Sequence, residues 1–233
     1  IELQRGTNGI FGSISHETIY RAIQEPDAGL PAGIHKCLHL KRRRRRHRNR
    51  ARSGLTTHPL GIFTSIRDRP AIAWERIEPG HLEGDLIIGA MNRSAMITIF
   101  DRYSRHLWLC RLTTGKGADG LYRGVKRTLA RMPMVFQKTL TWDQGSEMAR
   151  HAELAEKAGI DIYFADPKSP WQRPTNENGN ALIRRYVGKS TDLSQYSTRQ
   201  IRRIEHRINT IPRRSLNWET ANDLYNQKLS MTG

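Results

Sequence analysis

The sequence predicts an α/β layer built on a mixed sheet, with its core in residues 71–190. Three observations carry this. Three apolar strand-like runs, 81–89, 94–104 and 105–113, follow one another with short links, the pattern of an antiparallel meander. Helical and extended periods then alternate, with a helix over 117–131, a strand over 138–143, a helix over 147–158 and a strand over 160–164. Finally, a proline-punctuated loop leads from Ile162-Tyr163-Phe164 into one more helix. The order βββ-α-β-α-β-loop-α packs helices on a mixed sheet.

Four regions follow from the changes in composition: 1–34, 35–70, 71–190 and 191–233. In the first, residues 13–25 form a short helix, N-capped by Ser15, with Ile19, Ala22 and Ile23 on one face. One helix cannot bury that face alone. It is expected to complete a helix-turn-helix whose first part is truncated, bringing Ser15, His16 and Thr18 to DNA; an ordinary packing helix is the alternative. The chain opens at Ile1 rather than methionine, and upstream residues are expected.

The region 35–70 is a basic linker. Lys41, Arg42, Arg43, Arg44, Arg45, Arg46, Arg48, Arg50 and Arg52 lie in one short run, which calls for a polyanionic partner or for plain solvation. If every one of these cations met a phosphate, log K would fall with log salt at a slope of about −8. The formal charge of the whole chain is +17, and the rest of it is basic too. Nucleic acid is the simplest partner for such a chain. No amphipathic basic helix with an aromatic face suggests a membrane surface, no apolar run reaches bilayer length, and no signal-peptide pattern opens the chain. His35, Cys37 and His39 lack a second ligand pair for zinc, and two cysteines imply no disulfide framework, so a reducing cytoplasm is expected.

Within the core, Leu82, Leu86, Ile87 and Ile88 give the first strand its apolar content, and a turn near Tyr103-Ser104-Arg105 joins the next two. Leu121, Val125, Thr128 and Leu129 form the stripe of the first core helix, and Gly159 ends the second. Residues 165–175 contain Pro167, Pro170 and Pro174, and are expected to be an ordered loop without regular structure. Asn176 suits the N-cap of the helix that follows, and Glu177 its first turn. In the tail, a helix over 198–209 offers Ile201, Ile204 and Ile208 to the core, and a last helix begins near Glu219.

Three acids stand out. Asp85 lies inside an apolar strand, where a carboxylate is costly unless paired, hydrogen-bonded or bound to metal. Asp143 stands at a strand end before a glycine turn, and Glu177 opens a helix. Strand ends and helix starts are where α/β folds collect functional groups. With no Ser/His or Cys/His pair beside them, three such acids would form a site for Mg²⁺ or Mn²⁺, two of which can drive phosphodiester chemistry. Read singly, each also fits a solvated or structural role. Glu83 shares the strand face of Asp85.

These residues carry a resemblance. PGHLEGDLIIG with NRSA after it, LTWDQGSEM, YFADPKSPWQRPTNEN and GKSTDLS resemble the catalytic core of bacterial insertion-sequence transposases of the IS-thirty group, and SISHETIYRAI and RINTIPRRSLNWET do so more weakly. The resemblance implies a ribonuclease-H-like, integrase-type core with an Asp-Asp-Glu triad, falling here on Asp85, Asp143 and Glu177; 33 residues separate the last two, as in the family pattern. It implies a divalent-metal enzyme that cuts DNA at the terminal inverted repeats of an element. The enzyme then joins the 3′ ends to target DNA, as a homo-oligomer on the nucleoid of a bacterial cytoplasm. Arg184, two turns after Glu177, is expected at the element end, and Trp171 and Arg173 at DNA. The other readings are a DNA-binding remnant without catalysis and a nuclease that cannot join ends. The chain departs from the family at Pro174 and Gly179, on either side of Glu177.

Overall fold

The computed structural model describes residues 16–25, 28–31, 33–34 and 60–231. The chain divides into two units, 1–55 and 56–233. In the first, α1 (His16–Gln24) lies within the stretch expected to be helical, with Arg21 in its last turn, Ile19, Ala22 and Ile23 half-buried and Thr18 exposed. The N-cap Ser15 and the arginines Arg42 to Arg46 lie outside the described residues, as does any partner helix.

The second unit is a six-stranded sheet in the order β1-β6-β5-β2-β3-β4, where β1 is Thr64–Ser65, β2 His81–Ile88, β3 Ala95–Asp101, β4 Leu107–Arg111, β5 Thr139–Trp142 and β6 Asp161–Phe164. The expected meander is present: β2, β3 and β4 pair antiparallel, while β1, β6, β5 and β2 run parallel. The meander's turn is closed by Asp101, whose carboxylate accepts from the Gly80 and Ser104 N–H groups and the Ser104 hydroxyl, and Arg105 follows with φ of 61°. The two-residue β1, inside the stretch read as linker, is too short to show a period, and a short helix, α2 (Ala71–Glu75), stands between it and β2.

Because strand side chains alternate, the sheet has two cores. Ile97 and Ile99 face α3 (Ala118–Leu129) and α4 (His151–Ala158), packing with Leu121, Val125, Leu129 and Leu154. Met96, Phe100 and Ile87 face the other way, against Ile183 of α5 (Pro174–Ile183) and Ile201 and Ile208 of α6 (Thr198–Asn209). A last helix, α7 (Ala221–Ser230), opens with a capping box of Thr220 and Asp223. Two residues of α6 also close the free edge of β4, Glu205 accepting from the Leu109 N–H at 2.6 Å and Asn209 from the Leu107 N–H at 2.9 Å. A covered edge cannot pair with another chain.

Two expectations need correction around α5. The stretch 165–175 is not wholly irregular, since Pro170–Gln172 forms a 3₁₀ turn and the helix begins at Pro174. Asn176 is therefore not the N-cap; Arg173 holds that place. The reason is Pro174, whose fixed φ and missing N–H suit the first helical position. The expected helix over 147–158 likewise divides into a 3₁₀ turn, Ser146–Met148, and α4. Gly179 has a packing reason: a Cβ there would stand 2.1 Å from the Phe100 ring, so only glycine lets α5 lie this close to β3.

Candidate active site

The site grows from the register of two neighbouring parallel strands. Glu83 of β2 pairs with Thr141 of β5. Continued by two residues, that register sets Asp85 beside Asp143, just past the end of β5. Both border an open cleft of about 490 Å³, together with Leu86, Asn92, Lys116, Ser146 and Glu147.

Glu83, Asp85 and Ile87 share the strand face turned to α5. Asp85 is held from two sides: its Oδ1 accepts from the Leu86 N–H at 2.9 Å, and its Oδ2 from the Asn180 amide at 2.7 Å. The Asn180 carbonyl in turn accepts from the Thr98 hydroxyl at 2.9 Å. Burial pushes the Asp85 carboxyl up to about 6; Arg173 opposes the rise and the nearby Asp143 charge adds to it. Asp143 keeps one buried oxygen, Oδ1, without a hydrogen-bond partner.

Arg173, expected at DNA, is turned inward. Its Nη1 donates to the Gly84 carbonyl at 2.9 Å and its Nη2 to Asp143 Oδ2 at 3.2 Å, and the guanidinium lies 3.9 Å from Asp85 Oδ1. The loop that carries it is clamped: Asp166 accepts from Gln172 and Arg67, both at 3.0 Å, and its N–H donates back to the Gln172 carbonyl at 2.7 Å. Trp171, between the two anchors, is 70% exposed. Gly84 matters to the other face, because a Cβ there would overlap the Trp142 ring at 1.9 Å.

The helix that carries Glu177 is anchored by a buried ion pair. Glu83, fully buried, pairs with Arg102 and accepts from the Asn176 N–H at 3.0 Å, a carboxylate on a helix N-terminus. Glu177 itself is exposed. Among the described residues no three His, Cys, Asp or Glu side chains stand close enough to hold one ion. The structure thus brings Asp85 and Asp143 together and leaves Glu177 exposed, outside the residues that line the cleft. Arg184 does not point freely to solvent; its Nη2 donates to the Ile88 carbonyl at 2.8 Å, tying α5 to the end of β2.

Three residues of the site were not singled out in the sequence. Asn180 follows Glu177 by one helical turn, a spacing that places both on one face. Glu147, four residues after Asp143, accepts weakly from the Trp142 indole at 3.5 Å and borders the cleft. Lys116 borders it too.

Residues 75–170 match the integrase core domain family. Over 219 residues the chain is 41% identical to the transposase for insertion sequence element IS1086 of Cupriavidus metallidurans, a match covering 94% of this chain and 64% of that one. Over 223 residues it is 35% identical to transposase InsI for insertion sequence element IS30A of Escherichia coli, covering 94% and 57%. The chain therefore spans less than two thirds of the length of either relative. A chain in the cryoEM structure of a simian T-cell lymphotropic virus intasome in complex with PP2A regulatory subunit B56 gamma superposes with a TM-score of 0.52 at 14% identity, covering 64% of this chain and 55% of that one. With the six-stranded mixed sheet, that likeness makes the fold ribonuclease-H-like. Among the described residues no helix is long and apolar enough to cross a membrane.

Proposed function

Because the chain belongs to the IS30-type insertion-sequence transposases over the length it shares with them, we propose that it cuts DNA at the terminal inverted repeats of its element and joins the freed 3′-hydroxyl to a target phosphodiester. The observation that carries this is the pair Asp85 and Asp143, side by side at the ends of adjacent parallel strands, with a cationic side chain already between them. A buried carboxylate oxygen with no partner and two acids on one cleft fit divalent cations.

In this reading Asp85 and Asp143 would hold the Mg²⁺ or Mn²⁺ ions, with Glu177 as the third acid. The chemistry such ions would supply there is activation of the attacking oxygen and stabilisation of the leaving one. The rest falls to the chain. Asn180 and the Leu86 N–H orient the Asp85 carboxylate and favour its ionised form. The Glu83–Arg102 pair fixes the first turn of α5, so Glu177 and Asn180 move together. Lys116, which borders the same cleft, offers a phosphate partner. The exposed Trp171 offers a base-stacking surface beside the site. The basic run Arg42 to Arg46 and the helix carrying His16 and Thr18, with Ser15 before it, add DNA contacts, and the protein works as a homo-oligomer on DNA in the bacterial cytoplasm.

Strand transfer by the purified chain on its own terminal repeats, with Mg²⁺ or Mn²⁺, tests the proposal. Joined product is expected from the parent protein and none from Asp143→Asn; unchanged joining by that variant would overturn it. The exposed position of Glu177 favours one second reading, a DNA-binding remnant, for which salt-dependent binding would persist without any metal-dependent cleavage.

A further inference from the structure

The Arg173 guanidinium occupies the gap between the two aspartates that the proposed function assigns to the ions. Three observations fix it there: the bond to Asp143 Oδ2, the approach to Asp85 Oδ1, and the bond to the carbonyl of Gly84, the residue immediately before Asp85. The side chain is only 13% exposed. Asn180 takes the other oxygen of Asp85, while the Leu86 N–H shares Oδ1 with the guanidinium and carries no charge of its own. Asp143 has no hydrogen-bond donor on its second oxygen. Arg173 is thus the one cation in contact with Asp143 among the described residues.

Two carboxylates on neighbouring strands repel, and the cost is greater where one of them, Asp85 at 27% exposed against 46% for Asp143, is largely withdrawn from water. The arginine offsets that cost. A divalent ion held by Asp85 and Asp143 would compete with the guanidinium that now lies against both carboxylates, and two cations so close would repel in turn. The two arrangements exclude each other. The prolines on either side of the loop restrain its backbone, leaving the long side chain as the part that moves.

We propose that Arg173 is a resident counter-cation that holds Asp85 and Asp143 in register while no metal is bound, and that it withdraws when divalent ions load, which frees the guanidinium for a DNA phosphate. The inference rests on the reading of Asp85 and Asp143 as the ion-binding pair. It makes Arg173 a positioning residue whose removal strengthens ion binding, the opposite of what loss of a structural support does.

The test is Mn²⁺ binding to the full chain, followed by the electron paramagnetic resonance signal of free Mn²⁺, together with thermal melting in EDTA and in Mn²⁺. Arg173→Gln is expected to bind Mn²⁺ at least tenfold more tightly than the parent, to melt lower in EDTA, and to gain more melting temperature from Mn²⁺. If Arg173→Gln does not fold without metal, Arg173→Lys keeps the charge but loses the two-pronged grip, and should bind Mn²⁺ with an affinity above the parent's. Equal or weaker binding in the variant that folds overturns the proposal. Asp143→Asn separates the two failures. Mn²⁺ binding that needs Asp143 but ignores Arg173 sinks only the exchange, whereas binding indifferent to Asp143 in both backgrounds sinks the ion-pair reading itself.

Discussion

Asn180→Ala removes one side chain and two hydrogen bonds, the 2.7 Å bond to Asp85 Oδ2 and the 2.9 Å bond from Thr98. The bond to Asp85 is made to a charged group in a largely buried site, where such a bond contributes about 1.5–3 kcal/mol. If the chemistry needs Asp85 ionised and oriented, losing it should slow joining roughly 10- to 100-fold. There is a direction in pH as well. A donor to the ionised carboxylate favours that form, so its loss pushes the Asp85 carboxyl higher still from about 6. In the metal-free protein Asp85 must ionise before an ion can load, so the pH needed for Mn²⁺ to bind should move up in the variant. The assay is single-turnover joining of a pre-cut repeat end at saturating Mn²⁺, with DNA affinity and melting temperature measured in parallel. The slow step should fall while DNA binding stays unchanged. Asn180→Asp, which sets a second negative charge against Asp85, should be worse than alanine. Joining within twofold of the parent in Asn180→Ala would show that Asn180 does not orient Asp85 for the reaction.

Other outcomes follow from the same geometry. Glu83→Gln leaves Arg102 buried without its counter-charge and should cost about 3–5 kcal/mol in denaturant unfolding; a loss below about 1 kcal/mol would contradict the anchoring of α5. Trp171→Ala should leave the melting temperature unchanged, since the ring is exposed, while weakening binding to repeat ends by about 1–3 kcal/mol if a base stacks on it. His106, stacked on Tyr225 and accepting from the Asn209 amide, is pushed down to about 3 by burial and by Arg213. Its folded value lies below its unfolded value of about 6.5, so its contribution is present above that pH and drains as pH falls toward 3, reaching about 3 kcal/mol near pH 4. Unfolding curves of His106→Phe should therefore fall off less steeply with acid than those of the parent.

The sequence made the scaffold of the site readable through local patterns. HLEGDLIIG announces a strand with an acid inside it, and the short links to Ala95–Asp101 and Leu107–Arg111 announce the meander. Asp143 at a strand end before glycine, and Glu177 in the first turn of a helix, stand where they were expected. What escaped depends on contacts far apart in the chain. Arg173 reads as a surface cation until the β2–β5 register puts two aspartates beneath it. Asn180 reads as a helical polar residue until α5 is laid across β3, which Gly179 permits by sparing Phe100. Glu83 reads as an accessory acid near Asp85, but its partner, Arg102, follows the end of β3 and reaches it only through the meander. The start of α5 was misplaced because asparagine is a good cap in isolation, whereas Pro174 was free to take the first helical position.

The proposal is that Asp85, Asp143 and Glu177 act as one set, although Glu177 is exposed and is not among the residues that line the cleft. Its most direct test is joining of a pre-cut repeat end by Glu177→Gln, a variant that keeps size and folding while removing the charge. At least a 100-fold loss of joining is expected, on the order of 3 kcal/mol, with repeat-end binding intact. Joining at the parent rate would contradict it.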